Sequence, residues 1–166
     1  MELVSVVGAT GRQGLAQMRQ LALAGYRVRA LSRNPQPDFG GSVEVDECRV
    51  IDLSNDSTYA EAFEGSDAVF YNHPLQTREE RANIVGLVGA AANAVGVKRL
   101  VWNTSSWIPD KPGDPFTHQN NTDALNALFR SGVPSTVFGS VLFMDNLLIN
   151  WARPFSVNEG RYVYAH

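Results

Sequence analysis

This chain is poor in lysine and cysteine and holds no long apolar run. Its 166 residues include one cysteine, Cys48. That count excludes an internal disulfide framework and a cysteine-built zinc cluster, and it suits a reducing compartment. The only lysines are Lys98 and Lys111. Apolar stretches stop after a few residues, too short for a membrane helix. Met1 to Gly8 has no basic leader and reads as structure, so a cytoplasmic, non-membrane protein is expected. Acids are missing locally. From Leu3 to Pro37 five arginines (Arg12, Arg19, Arg27, Arg29 and Arg33) stand without a carboxylate, giving that stretch +5 and the remainder −8 against a net −3. A nucleic-acid binder would spread its basic residues over a larger face. A basic corner on an acidic body fits one small anionic ligand, the alternative being a solvated strand and helix that happen to carry arginine.

The composition, 44% hydrophobic, fits one globular domain able to bury about two-thirds of its unfolded surface. There is no repeat or low-complexity tract. Short β-branched runs alternate with helical patterns. Strands are expected at Leu3 to Val7, Tyr26 to Leu31, Val43 to Ile51, Asp67 to Tyr71, Arg99 to Trp102 and Ser135 to Phe138. Helices are expected at Arg12 to Ala24 (stopped by Gly25), Ser57 to Glu64, Thr77 to Val95 and Gln119 to Arg130. Ser106 to Thr117 reads as a loop, Met144 to Trp151 as a further helix, and Tyr162 to Tyr164 is too short to assign. Alternation of this kind demands a parallel sheet covered on both faces. The leading topology is the doubly wound, three-layer α/β/α Rossmann fold, with residues 1–150 as its domain and 151–166 as a short tail.

One motif carries chemistry. Gly8-Ala9-Thr10-Gly11-Arg12-Gln13-Gly14 lies between the first strand and first helix. Gly8 permits the tight turn, Gly11 lets backbone approach a pyrophosphate, and Gly14 lets the helix pack on the sheet. The N–H groups of Thr10 to Gln13 then face the anion at the positive end of the helix. A glycine-rich turn without ligand is the plain alternative. About 20 residues on, an acid would hold the ribose hydroxyl of NAD and an arginine the 2′-phosphate of NADP. The sequence there is Leu31-Ser32-Arg33-Asn34, with no acid before Asp38, which favours NADP over NAD. An exposed loop arginine is the alternative for Arg33.

The glycine motif followed by Ala30-Leu31-Ser32-Arg33-Asn34-Pro35 resembles the NmrA-like family of atypical short-chain dehydrogenases. Asp52-Leu53-Ser54, Asp67-Ala68-Val69-Phe70, Gly96-Val97-Lys98-Arg99-Leu100-Val101-Trp102, Ser131-Gly132-Val133-Pro134 and Phe143-Met144-Asp145-Asn146-Leu147 follow in matching order. The resemblance implies that Asp52 and Leu53 lie beside the adenine and that Asn72, His73 and Pro74 run past the ribose toward nicotinamide. For His73, a loop histidine without chemistry is the equal alternative.

Two features depart from that family. None of the five tyrosines is followed one helical turn later by a lysine, the pairing by which a cation favours the tyrosinate for proton transfer. Thr122 or Asn121 occupies the slot where the family commonly keeps a lysine. Ser105 could orient a carbonyl and His118 donate a proton, against the simpler reading of backbone-satisfying serines and a helix start. No metal-ligand spacing is present. The resemblance also implies a longer chain: the cofactor half is expected complete and the substrate half nearly absent, with Trp151, Phe155, Tyr162 and Tyr164 capping the domain or forming an interface with a protein partner or second copy. Three readings follow: an NADP(H)-binding redox sensor or regulator without the Tyr/Lys pair, an NADPH-dependent oxidoreductase acting on a small carbonyl or quinone, and a truncated product that folds but does little.

Overall fold

The computed structural model describes residues 1–41, 43–72, 78–105, 108, 116–140 and 143, with the side chains of 78–79 and 116–120 excepted. Met144 to Trp151, Tyr162 to Tyr164, most of the Ser106 to Thr117 loop and the tail all lie outside the described residues.

Six strands form one sheet in the order β3-β2-β1-β4-β5-β6, and every neighbouring pair is parallel. They are β1 (Leu3–Val7), β2 (Arg27–Ser32), β3 (Glu47–Val50), β4 (Ala68–Asn72), β5 (Arg99–Asn103) and β6 (Ser135–Phe138). The order reverses between β1 and β4, so the doubly wound expectation holds and the crevice of this fold opens at the carboxyl ends of those two strands. β1 is buried throughout, and its one polar side chain, Ser5, shares a 2.7 Å hydrogen bond with Ser66 Oγ. The helices are α1 (Arg12–Leu23), α2 (Tyr59–Phe63, entered through a short 3-10 turn at Asp56–Thr58), α3 (Arg78–Ala94) and α4 (Phe116–Arg130). None among the described residues is long and apolar enough to cross a membrane.

The helices divide between the two faces. On one face Met18 of α1 packs with Val6, Ala9, Val28 and Ala30. On the other, the residues of β1, β4 and β5 that alternate with these meet α2, α3 and α4. There Val7, Val69, Tyr71, Leu100 and Trp102 pack with Phe63, Val85, Val88, Ala124 and Leu128. Gly25 ends α1 as expected. It adopts φ +84°, its N–H donates to Ala22 O (3.0 Å), and the N–H of Tyr26 donates to Leu21 O (3.1 Å). Such a cap needs a left-handed residue after the last helical turn.

Three expected boundaries move. β2 begins and ends one residue later than its apolar run. α4 starts at Phe116 rather than Gln119. β3 begins at Glu47 rather than Val43. Val43 and Val45 are partly buried against the α1-side cluster, so their apolar signal belongs to a packed loop. Asp46 ends that loop by accepting the N–H of Val28 at 2.7 Å.

The charge-based expectation of one basic corner also needs correction. Arg29 is only 2% exposed. Its Nη1 donates to Ala62 O (3.1 Å), Glu64 O (2.8 Å) and Ser66 Oγ (3.0 Å), and its Nη2 meets Glu47 at 3.0 Å. It therefore caps the carbonyl end of α2, where a cation is favoured. Arg49 adds a second cap through Nη1 to Glu61 O (2.6 Å). Arg27 pairs with Asp46 and Glu47 at the surface. The acids that balance this stretch come from β3, beyond the sequence window in which the arginines look unpaired.

At the opposite edge of the sheet, Asp67 joins three elements. Its carboxylate accepts the N–H of Leu3 (2.8 Å) and the Lys98 ammonium (2.6 Å). Lys98, and then the Leu3 N–H, hold the Asp67 carboxyl below its ordinary 3.8.

Arg29→Met is expected to cost about 3 kcal/mol in urea unfolding, the low end for breaking a buried ion pair because Glu47 keeps access to water. For Asp67, the unfolded chain takes up the proton at higher pH than the native state. The stabilisation is thus present above the ordinary carboxylate value and is lost as pH falls through the lower folded one. Asp67→Asn should flatten the fall of stability between about pH 4 and 2, measured by unfolding at stepped pH.

Candidate active site at the carboxyl edge of the sheet

The turn from β1 into α1 depends on three glycines. Gly8 adopts φ +72°, a region that side chains rarely enter. The N–H of Gly11 returns to Gly8 O at 2.9 Å, and a Cβ on Gly11 would stand 3.2 Å from that carbonyl. Gly14 is tighter: a Cβ there would collide with Gly8 O and lie 2.8 Å from the Ala9 Cα. Both neighbours are backbone and cannot turn aside. Gly11 caps α1 in extended conformation, no side chain accepts from the first turn, and that turn carries no acid. The result is a helix end with a positive field and a surface bare of Cβ atoms, on which Thr10, Gly11 and Arg12 are exposed.

Beside this loop, the ends of the strands bring the other expected residues together in part. Arg33 is exposed just past β2, after a turn in which the N–H of Asn34 donates to Ser32 Oγ at 3.1 Å. Asp52 follows β3, and its Oδ1 accepts the N–H (3.0 Å) and hydroxyl (2.8 Å) of Ser54. Those two bonds hold its carboxyl low, helped by the positive charge of Arg33. The ends of β2 and β3 thus set a cation and a carboxylate within each other's field. Leu53 packs against the core, and its carbonyl accepts the Tyr59 hydroxyl at 2.8 Å. His73 and Pro74 lie outside the described residues, as does the side chain of His118.

Asn72 ends β4 inside a network of amides. It exchanges two hydrogen bonds with Gln17 (2.7 and 3.1 Å) and donates to Val7 O (3.0 Å). One turn earlier on α1, Gln13 accepts from Asn103 (2.9 Å) at the end of β5 and donates to Ser105 Oγ (3.2 Å). Asn72 and Asn103 are register partners in the sheet. Gln17, Asn103 and the whole bracing pattern were missing from the expected site. Their signal was two glutamines a turn apart on α1 facing two asparagines that each end a strand.

A buried polar group on the other face was also missed. Arg81 continues the inward stripe of Val85, Val88 and Ala92 by helical spacing, yet it is a cation. It is 8% exposed and donates through Nη1 to Asn121 Oδ1 at 2.8 Å, while its Nε has no hydrogen-bond partner among the described residues. Of the two residues considered for the lysine slot, Asn121 faces inward onto this guanidinium and Thr122 is exposed. Burial lowers the pKa of Arg81, opposed by neighbouring Tyr71. Tyr71 itself is raised well above 10 by burial, and burial pushes Tyr59 up to about 12. Neither phenol is set to exchange a proton near neutral pH. Tyr26 lies at the start of β2, by the amino edge.

The sequence matches the NmrA-like family over residues 1–153. The chain belongs to the NmrA-like family. It is 34% identical over 154 residues to a (4-alkanoyl-5-oxo-2,5-dihydrofuran-3-yl)methyl phosphate reductase of Streptomyces griseus, covering 90% of this chain and 51% of that protein. An NmrA-like oxidoreductase of Aspergillus japonicus is 26% identical over 131 residues, covering 73% and 39%. Among solved structures, a nucleoside-diphosphate-sugar epimerase of Staphylococcus aureus superposes with TM-score 0.72 at 27% identity, covering 89% of this chain and 53% of that one. The triphenylmethane reductase of Citrobacter sp., solved with NADP(H), gives 0.70 at 20% identity over 86% and 50%, a likeness of fold. The chain thus spans about half the length of the relatives it matches.

Gly14→Ala tests the close approach of α1. Alanine is the better helix former by about 1 kcal/mol, but its Cβ meets immovable backbone. A net loss of about 1–2 kcal/mol is expected in urea unfolding.

Proposed function

We propose that this NmrA-like chain is the NADP(H)-binding part of an oxidoreductase. The observation that carries the reading is the glycine-walled, acid-free amino end of α1 at the point where the strand order reverses, a surface that a Cβ at Gly11 or Gly14 would fill. It fits a pyrophosphate. In this reading residues 1–150 are the binding domain and 151–166 a tail able to meet a partner or second copy. The backbone of Gly8, Thr10, Gly11, Arg12, Gln13 and Gly14 holds the pyrophosphate. Asp52 and Leu53 border the adenine, and Asn72, His73 and Pro74 border the path toward β5.

Arg33 favours NADP over NAD. It is exposed at the end of β2, where a 2′-phosphate would come to rest, and a guanidinium fork suits that group. When bound, the dinucleotide supplies or takes up hydride. The chain's own residues bind it, orient it and keep Ser105 Oγ near its far end. The names of the curated relatives, a reductase and an oxidoreductase, support the enzymatic reading over a purely structural one.

A second reading, a redox sensor working through a partner in the cytoplasm, draws on the tyrosines. The raised phenols of Tyr59 and Tyr71 and the absence of a Tyr/Lys pair suit binding without proton transfer. Steady NADPH consumption with a panel of quinones and aldehydes favours the enzyme; tight binding without turnover favours the sensor.

Calorimetric titration with NADPH and NADH tests the site. Wild type is expected to prefer NADPH, and Arg33→Asp to reverse that preference by about ten- to a hundredfold, the worth of a hydrogen bond to a charged group. Unchanged relative affinities would remove Arg33 from the site.

A further inference from the structure

Gln13 stands where the two halves of the cleft meet, and its amide is engaged at both ends. Nε2 donates to Ser105 Oγ and Oε1 accepts from Asn103 Nδ2. Asn103 is fixed in turn, since its Oδ1 accepts the N–H of Ser105 (3.0 Å) and the hydroxyl of Ser140 (2.7 Å). Ser105 is held at φ 57°, a left-handed conformation unusual for serine.

In the sheet, β4 lies between β1 and β5. A side chain reaching from the first turn of α1 to the end of β5 therefore crosses the carboxyl end of β4. This fold consists of two mononucleotide-binding halves, and a dinucleotide lies across the crevice between them. The Gln13 bridge spans the half built on β4 and β5. The half built on β1, β2 and β3 stays clear of it, with Arg33 and Asp52 at its far side. Gln17 differs: its reciprocal pair with Asn72 lies against Val7 O, deeper along α1, and acts as a brace.

We infer that the Gln13 side chain is a specificity-determining bar, passing an adenine nucleotide freely and requiring a whole dinucleotide to break its bonds to Asn103 and Ser105. The inference rests on the dinucleotide reading above. Release of the bar also frees the Ser105 hydroxyl, which in the barred form is occupied by Gln13 and unavailable to a second ligand. The cost of release falls on the dinucleotide alone. Its adenine fragment has nothing that reaches β5.

The test titrates wild type and Gln13→Ala with NADPH and with the fragment 2′-phospho-AMP by calorimetry. Gln13→Ala is expected to bind NADPH about two- to tenfold more tightly, the worth of one net hydrogen bond, and to bind the fragment as wild type does. Ser105→Ala removes one of the two contacts and should shift NADPH affinity in the same direction by less. In wild type, the side-chain amide NMR signals of Gln13 and Asn103 should move on adding NADPH and stay in place with the fragment, a readout independent of how the variants fold. Weaker NADPH binding by Gln13→Ala would make Gln13 a direct ligand contact and overturn the bar. An equal change for both ligands, or amide signals unmoved by NADPH, would overturn it too. Fragment binding with no effect of Gln13 sinks the bar alone, whereas failure of both ligands with both proteins sinks the dinucleotide reading with it.

Discussion

The approach of α1 to the β1 turn governs the rest of the site. Gly14 rests on the backbone of Gly8 and Ala9 with no room for a methyl group. That contact sets the height of α1 above the sheet, and the height decides what its glutamines can reach. With α1 so close, Gln17 meets Asn72 and Gln13 meets Asn103 at ordinary hydrogen-bond distances. A helix displaced outward by even one methyl radius would leave four amides at the carboxyl edge without their partners, in a place where lost bonds are costly. The same contact aims the positive end of α1 into the crevice. Anion field, strand-end amides and sheet geometry thus all depend on one packing constraint at one residue.

Strand β2 shows how position overrides composition. It delivers three arginines at alternate positions, and each meets a different environment. Arg27 lies at the surface among acids, Arg29 is sealed under the sheet as a helix cap, and Arg33 emerges past the strand end into solvent. Only the last keeps its donors available on the ligand edge. A count of charges along the sequence treats the three alike. The sheet register does not, because β3 places Glu47 beside Arg29.

Much of the fold was legible because its signals are local. β1 and β6 coincide with their β-branched runs, and Gly25 closes α1 where a left-handed residue was expected. The glycine loop was legible for the same reason, since Gly8 and Gly14 answer to their own backbone and nearest neighbours. The failures are non-local. Val43 and Val45 looked like strand because apolar alternation records burial, and burial here comes from packing under a loop. Arg81 was hidden because a cation within an apolar helical stripe makes sense only once Asn121 of α4 stands opposite. The amide network required knowing that Asn72 and Asn103 end adjacent strands. Sequence spacing along α1 supplied one side of that network but not the other.

Helix α2 has five residues, too few to persist alone, since helix nucleation is unfavourable and short segments cannot repay it. Its carbonyl end is held by Arg29 from β2 and Arg49 from β3. Both guanidinium groups reach their positions only after β2 and β3 have paired. The helix is therefore a product of the sheet rather than a template for it. In folding, α2 belongs to the late events, with its contacts absent from the transition state and gained on the descent to the native fold. Substitutions at the caps would then quicken unfolding while leaving the refolding rate nearly untouched.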